Sequence, residues 1–167
     1  DKVPIDVLHA VLRLLLEEQV SIRNLPLILE ATAEARSQNA QTEAICEHVR
    51  QRLGFQIVGE LRRADGTLPL VQLAPEWEDT FATYQVEGDR GLDIALPPNL
   101  CNELADRAAD KLNDATQNGI YPALITNARR RRFLRTVMRA KGITNPVLSF
   151  EEIGLDARPS LVGMIAA

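Results

Sequence analysis

The segment LRLLLEEQVSIRNLPLILEATAE (Leu12–Glu34) constrains this chain more than any other stretch. It continues an amphipathic pattern that begins near Pro4. Ile5, Leu8, Leu12, Leu15 and Leu16 recur at helical spacing, and Val7, Val11 and Leu14 widen the stripe. A stripe that broad requires burial on more than one side. Gln19 to Arg23 then breaks the helix. Asn24 offers a side-chain oxygen to a free N–H of a following first turn, and Pro26 is tolerated where N–H groups have no helical partner. The second helix runs to about Arg36. Such a compact two-helix unit can bind DNA, brace a neighbouring subunit or fill a core.

Beyond a polar loop at 37–41, Thr42 is the expected cap of a third helix carrying Ile45, Val49 and Leu53. After Gly54 two readings stay open. Phe55, Ile57, Gly59 and Leu61 alternate like a strand that Asp65-Gly66 could turn into a hairpin. Ile57, Val58 and Leu61 equally extend the helical stripe. From there the texture changes. Short apolar runs at Leu70–Leu73, Leu92–Leu96, Ala123–Thr126, Val147–Phe150 and Leu161–Ile165 alternate with helical patterns. Pro75 starts one helix, Asn99 is the expected cap of a second that Gly119 ends, and Asn127 caps a third that Gly142 stops. Ala123–Thr126, that last helix and Val147–Phe150 form an expected βαβ unit, hence a parallel pairing. The expected fold class is α/β (α+β overall): a helical subdomain at 1–64 and a small α/β subdomain with the βαβ unit at 65–167.

Aromatics make up only 4% of the 167 residues, so the core must be aliphatic. The formal net charge of -4 argues against a dedicated nucleic-acid binder, which carries a basic excess. Cys46 and Cys101 are too few and isolated for a disulfide framework or zinc site, and read as reduced, packed thiols. No run approaches the ~18 apolar residues of a membrane span, and no signal peptide opens the chain. The chain begins at Asp1 without an initiating Met, as expected for a piece of a longer protein.

Catalysis has little to work with. His9 and His48 lie in helical patterns near acidic residues, where structural roles outweigh a general base. The sequence holds no G-x-S-x-G, glycine-rich phosphate loop, C-x-x-C or H-E-x-x-H. Glu151-Glu152, read as extended, would point to opposite faces and make a poor acid/base pair. No enzyme, cofactor or metal is expected. The strongest charge feature is ARRRRFLRTVMRAK (Ala128–Lys141). Arg131, Arg135 and Arg139 at i, i+4, i+8 read as a positive ridge opposite the apolar stripe. That ridge is either a solvated face or a docking surface for an acidic protein, phosphate or anionic lipid. As a helix-turn-helix, the opening unit would present Glu30 and Glu34 to phosphates, an unfavourable arrangement.

Taken in order, these pieces resemble the C-terminal cytoplasmic part of the type III secretion export-gate family, flagellar FlhA and its injectisome counterparts. The resemblance rests on Leu12–Glu34, HVRQRLGFQI (His48–Ile57), YPALITNARRRRFLRTVMRAKGITNPVLSFEEI (Tyr121–Ile153) and the terminal strand around Val162–Ile165. Phe55 stands where the family usually has Arg, and Phe150 where Tyr is usual. The resemblance implies that the two parts are the family's helical third and α/β fourth subdomains. It also implies that the third helix continues through Ile57 to about Leu61.

The implied role is non-enzymatic. The full protein would combine a membrane-embedded half with a nonameric ring on the cytoplasmic face of the bacterial inner membrane. That ring receives cargo and chaperone–cargo complexes and meets other export-apparatus proteins. The flagellar system is favoured over the injectisome. Ring contacts are expected at Glu18, Arg23, Asn24 and Glu30, because opposite charges at a helix junction can lock a head-to-tail repeat. An intramolecular Arg23–Glu18 pair that stiffens the turn is the alternative. Arg131, Arg135 and Arg139 are the expected partner-binding ridge, with no nucleic acid expected. A helix-turn-helix DNA-binding regulator is the alternative function.

Overall fold

The computed structural model describes residues 3–38, 40–88 and 91–167. In chain order the elements are α1 (Ile5–Glu17), α2 (Leu25–Arg36), α3 (Thr42–Arg52), α4 (Gly54–Leu61), β1 (Leu68–Leu73), α5 (Pro75–Thr83), β2 (Gln85–Gly88), β3 (Gly91–Ile94), α6 (Pro98–Gln117), β4 (Ala123–Thr126), α7 (Ala128–Ala140), β5 (Val147–Ser149), α8 (Phe150–Ile153) and β6 (Pro159–Ile165). They divide into two compact units, Asp1–Glu60 with Glu151–Gly154, and Leu61–Phe150 with Leu155–Ala167. The expected division at 64/65 makes each part continuous in sequence. In the structure four residues from far downstream group with the helices.

In the helical unit, α1 and α2 both pack on α3. Val11, Leu15, Ile28, Ala31, Ile45, Cys46, Val49 and Leu53 form the buried interior. The stripe on α1 is not covered on two sides as expected: only Val11 and Leu15 of it are buried, and Ile5 and Leu16 are 85% and 52% exposed. The reason is that α1 packs mainly on one neighbour, α3. α1 ends with the Gln19 N–H donating to the Leu16 carbonyl and the Val20 N–H to the Leu15 carbonyl, a closure that needs a left-handed residue. Here that residue is Gln19, at φ 59°. Asn24 occupies the cap position of α2, but its side chain accepts no capping hydrogen bond. Likewise Thr42 is the first residue of α3, and the cap is Gln41. The strand reading of Phe55–Leu61 is not realised; the chain stays helical to Leu61, interrupted at Leu53. Gly54 follows that break because a methyl there would stand 1.9 Å from the Glu152 carbonyl oxygen.

The α/β unit is built on a sheet of order β5-β4-β1-β6. All three pairings are parallel, and β4-α7-β5 is the expected βαβ unit. β4 and β5 are buried along their whole length, the mark of parallel strands covered on both faces. β6 pairs with β1 through a bulge that skips Val162 between Leu161 and Gly163. α7 packs on β4 and β5, and α6 on β6. The core joins Trp77, Phe81, Leu104, Leu112, Leu124, Leu134 and Met138. Phe81 meets Phe133 edge-on at 5.4 Å, and the Trp77 indole N–H donates to the Ala166 carbonyl at 2.9 Å.

The expected run at Leu92–Leu96 is a strand only to Ile94, as part of β3, the second strand of a small antiparallel hairpin whose first strand, β2, the sequence reading did not include. Pro98 begins α6, so Asn99 lies inside the first turn and is not its cap. Asn127 does cap α7, accepting from the Arg130 N–H at 3.0 Å. The strand after α7 stops at Ser149. Phe150 to Ile153 is helical, which corrects the extended reading of Glu151-Glu152.

Candidate functional site

At the α1–α2 junction the structure separates the residues that the sequence grouped. Arg23 is exposed, and its backbone N–H and Nε both reach Ser21 Oγ, at 3.3 and 3.4 Å. Glu18 is paired elsewhere: its carboxylate lies 3.8 Å from Arg50 Nη1, with only 12% of the side chain exposed. The structure therefore gives neither residue to the other. Glu30 is exposed on α2, 3.7 Å from Arg52. Arg52 also donates to Glu34, whose other oxygen lies 2.9 Å from His48 Nε2. The Arg52 hydrogen bond, with help from His48, holds the Glu34 carboxyl below its ordinary range. Leu16, in the last turn of α1, and Leu25, the first residue of α2, leave apolar surface exposed on either side of the junction.

Inside the helical unit lies a site that sequence reasoning missed. Arg50 is buried and grips Glu152 with two bonds: Nε donates to Oε2 at 3.1 Å and Nη2 to Oε1 at 2.8 Å. A guanidinium matches a carboxylate in this two-point geometry, which makes it the strongest common ion pair. Arg50 shares a helix face with Cys46 and Leu53 at i, i+4 and i+7, so its burial carried a local signal. Glu152 carried none, because its partner is 102 residues away.

The expected arginine ridge on α7 does not exist as a surface. Arg131 is wholly buried, Arg135 is half-buried and only Arg139 is exposed. Residue 131 stands three before Leu134 and seven before Met138, so it belongs to the buried stripe. There its Nη1 donates to the Val147 carbonyl at 3.0 Å. Arg130 is also buried, making bonds of 2.9 to 3.2 Å to both oxygens of Glu78 and one of 2.8 Å to Gln85 Oε1. Arg130 and Arg131 are thus structural, while Arg129, Arg139 and Lys141 remain exposed. With its ridge gone and Glu30 exposed on α2, the DNA-binding reading finds no support. Among the described residues no His/Cys/Asp/Glu group is disposed to hold a metal, and no helix is long and apolar enough to cross a membrane.

A helical unit followed by a four-stranded parallel sheet defines a mixed α/β protein with no assembled catalytic centre among its described residues. The family model that matches it is that of the FHIPEP family, over residues 1–158. The chain belongs to that family, as its resemblance to the export-gate proteins implied. It is 36% identical over 156 residues to the flagellar biosynthesis protein FlhA of Caulobacter vibrioides, covering 93% of this chain and 22% of that protein. Among solved structures, the Chlamydia pneumoniae CdsV protein superposes with a TM-score of 0.87 at 25% identity, covering 98% of this chain and 47% of that one. The nonameric EscV cytosolic domain from the type III secretion system superposes with a TM-score of 0.76 at 23% identity, covering 93% and 46%. The latter shows the fold alone. The chain spans less than a quarter of the length of the curated relatives it matches.

Proposed function

We propose that this chain is a non-enzymatic, ring-forming part of a type III secretion export gate, flagellar rather than injectisome. It works at the cytoplasmic face of the bacterial inner membrane, within a longer protein that receives cargo and chaperone–cargo complexes. Its helical and α/β units correspond to the family's third and fourth cytoplasmic subdomains. Family membership over nearly the whole chain is the observation that carries this reading. The nonameric state of the EscV relative supports self-assembly as the mode of action.

The subunit contact falls at the α1–α2 junction. Arg23 and Glu30 stand outward there, Asn24 is half-exposed, and Leu16 and Leu25 supply apolar area. A cyclic head-to-tail contact needs two different complementary patches, and charge sets its register. Glu18, committed to Arg50, acts behind that surface. Sedimentation across a wide concentration range tests the proposal. Association that rises with concentration and is lost in Arg23→Glu, with thermal stability unchanged, is the expected result. Association that persists in Arg23→Glu would move the contact off the junction. A monomer throughout would place ring contacts outside these 167 residues.

A further inference from the structure

Arg50 stands between two carboxylates that differ in how they are held. Glu152 is bonded through both oxygens at 2.8 and 3.1 Å, whereas Glu18 approaches a different nitrogen at 3.8 Å. Glu18 is the C-cap of α1, whose Leu15 is buried in the helical interior. Glu152 belongs to four residues, Glu151–Gly154, that return from far downstream. That segment is short, and its neighbours Phe150 and Leu155 are both exposed. Its carbonyl at Glu152 lies against Gly54, and its carboxylate against Arg50, so a tight backbone approach and an ion pair are among the contacts that hold it. Short segments with few buried contacts are where local opening occurs first.

We propose that Glu18 is an electrostatic competitor that sets how readily the Glu151–Gly154 segment detaches, by retaining Arg50 when Glu152 leaves. The sign follows from Coulomb's law. While the segment is docked, Glu18 attracts Arg50 and repels Glu152, so the repulsion offsets part of the attraction. Once the segment is released, only the attraction remains. Glu18 therefore favours the released state relative to a neutral side chain in its place. It also lessens one penalty of release, that of a buried guanidinium deprived of its Glu152 counter-charge. The segment is in this sense a detachable clip, and its balance is set by a residue outside it.

Hydrogen–deuterium exchange of the whole chain, followed in peptides spanning 150–157, tests this. Glu18→Gln is expected to slow exchange there about three- to fivefold, the range of a partly exposed charge pair. Glu152→Gln is expected to speed it. In a Glu152→Gln background the slowing by Glu18→Gln should disappear, because the repulsion it relieves is gone. Unchanged or faster exchange in Glu18→Gln would overturn the proposal by making Glu18 a simple member of the docked network. Failure of Glu18→Gln to fold would overturn it for the same reason. Should Glu152→Gln not fold, the sign of the Glu18→Gln effect alone decides.

Discussion

Arg50 in the helical unit and Arg130 in the α/β unit are both buried, and each holds a carboxylate through more than one N–H. They differ in what lies behind that carboxylate. The Glu152 side chain is 0% exposed, while that of Glu78 is 40% exposed. Arg130 also has Gln85, and Glu78 is within reach of Asn127 and Arg129. The first pair is shut away from water on both partners, while the second opens to water through Glu78. In a sealed pair, water cannot stand in for a lost partner. In an open one, solvent takes up part of what the partner supplied. Burial of the arginine alone therefore does not say how much its ion pair is worth.

Truncating the carboxylate in each unit turns this comparison into a measurement. Glu152→Ala leaves Arg50 buried with Glu18 as its remaining nearby carboxylate, and is expected to cost about 3–5 kcal/mol in a denaturant titration. Glu78→Ala leaves Arg130 with Gln85 and with water entering from the exposed side. It is expected to cost about 1–2 kcal/mol after allowance for solvent screening. Equal losses at the two sites would break the comparison and show that solvent access to Glu78 supplies nothing.

The same contrast explains which parts could be read from the sequence. The α/β unit is built from nearby pieces: β4, α7 and β5 follow one another, Asn127 caps its helix, and Gly119 and Gly142 take the left-handed position after α6 and α7. Those signals are local, and they led to the correct elements. In the helical unit the equivalent position after α1 is Gln19, which no composition rule marks. Asn24 and Asn99 looked as good as Asn127. Yet Pro98 fits the first position of α6 and pulls its start ahead of Asn99, and Asn24 leaves its side chain out of the cap. The arginine ridge failed on a count along the helix, since Arg131 shares the face of Leu134 and Met138. β2 was missed because Gln85–Gly88 is half-exposed or exposed and shows no apolar alternation. Of the candidate site residues, Arg23 and Glu30 were found as exposed charges, but the pairing of Glu18 with Arg50 was not. A contact to a residue 102 positions from Arg50 is a product of tertiary packing, and no local pattern encodes it.

A third arginine pair extends the comparison to its open limit. Arg52 and Glu34 lie at the surface of the helical unit, with 34% and 40% of their side chains exposed, beside His48 and Glu30. Because the Arg52 bond lowers the Glu34 pKa in the folded chain, the folded state binds fewer protons than the unfolded one as Glu34 titrates. Its contribution is therefore fully present above the ordinary value of 4.5 and is lost as pH falls through the lower folded value. Glu34→Gln should melt below the unmodified chain at neutral pH, and the two melting curves should converge as pH is lowered below that range. Of the three arginine pairs this effect should be the smallest and the most sensitive to salt, since both partners already face water. A gap in melting temperature that stays constant down to pH 3 would mean that Glu34 acts through its shape or hydrogen bonding, and that exposure does not grade these pairs in the order Arg50, Arg130, Arg52.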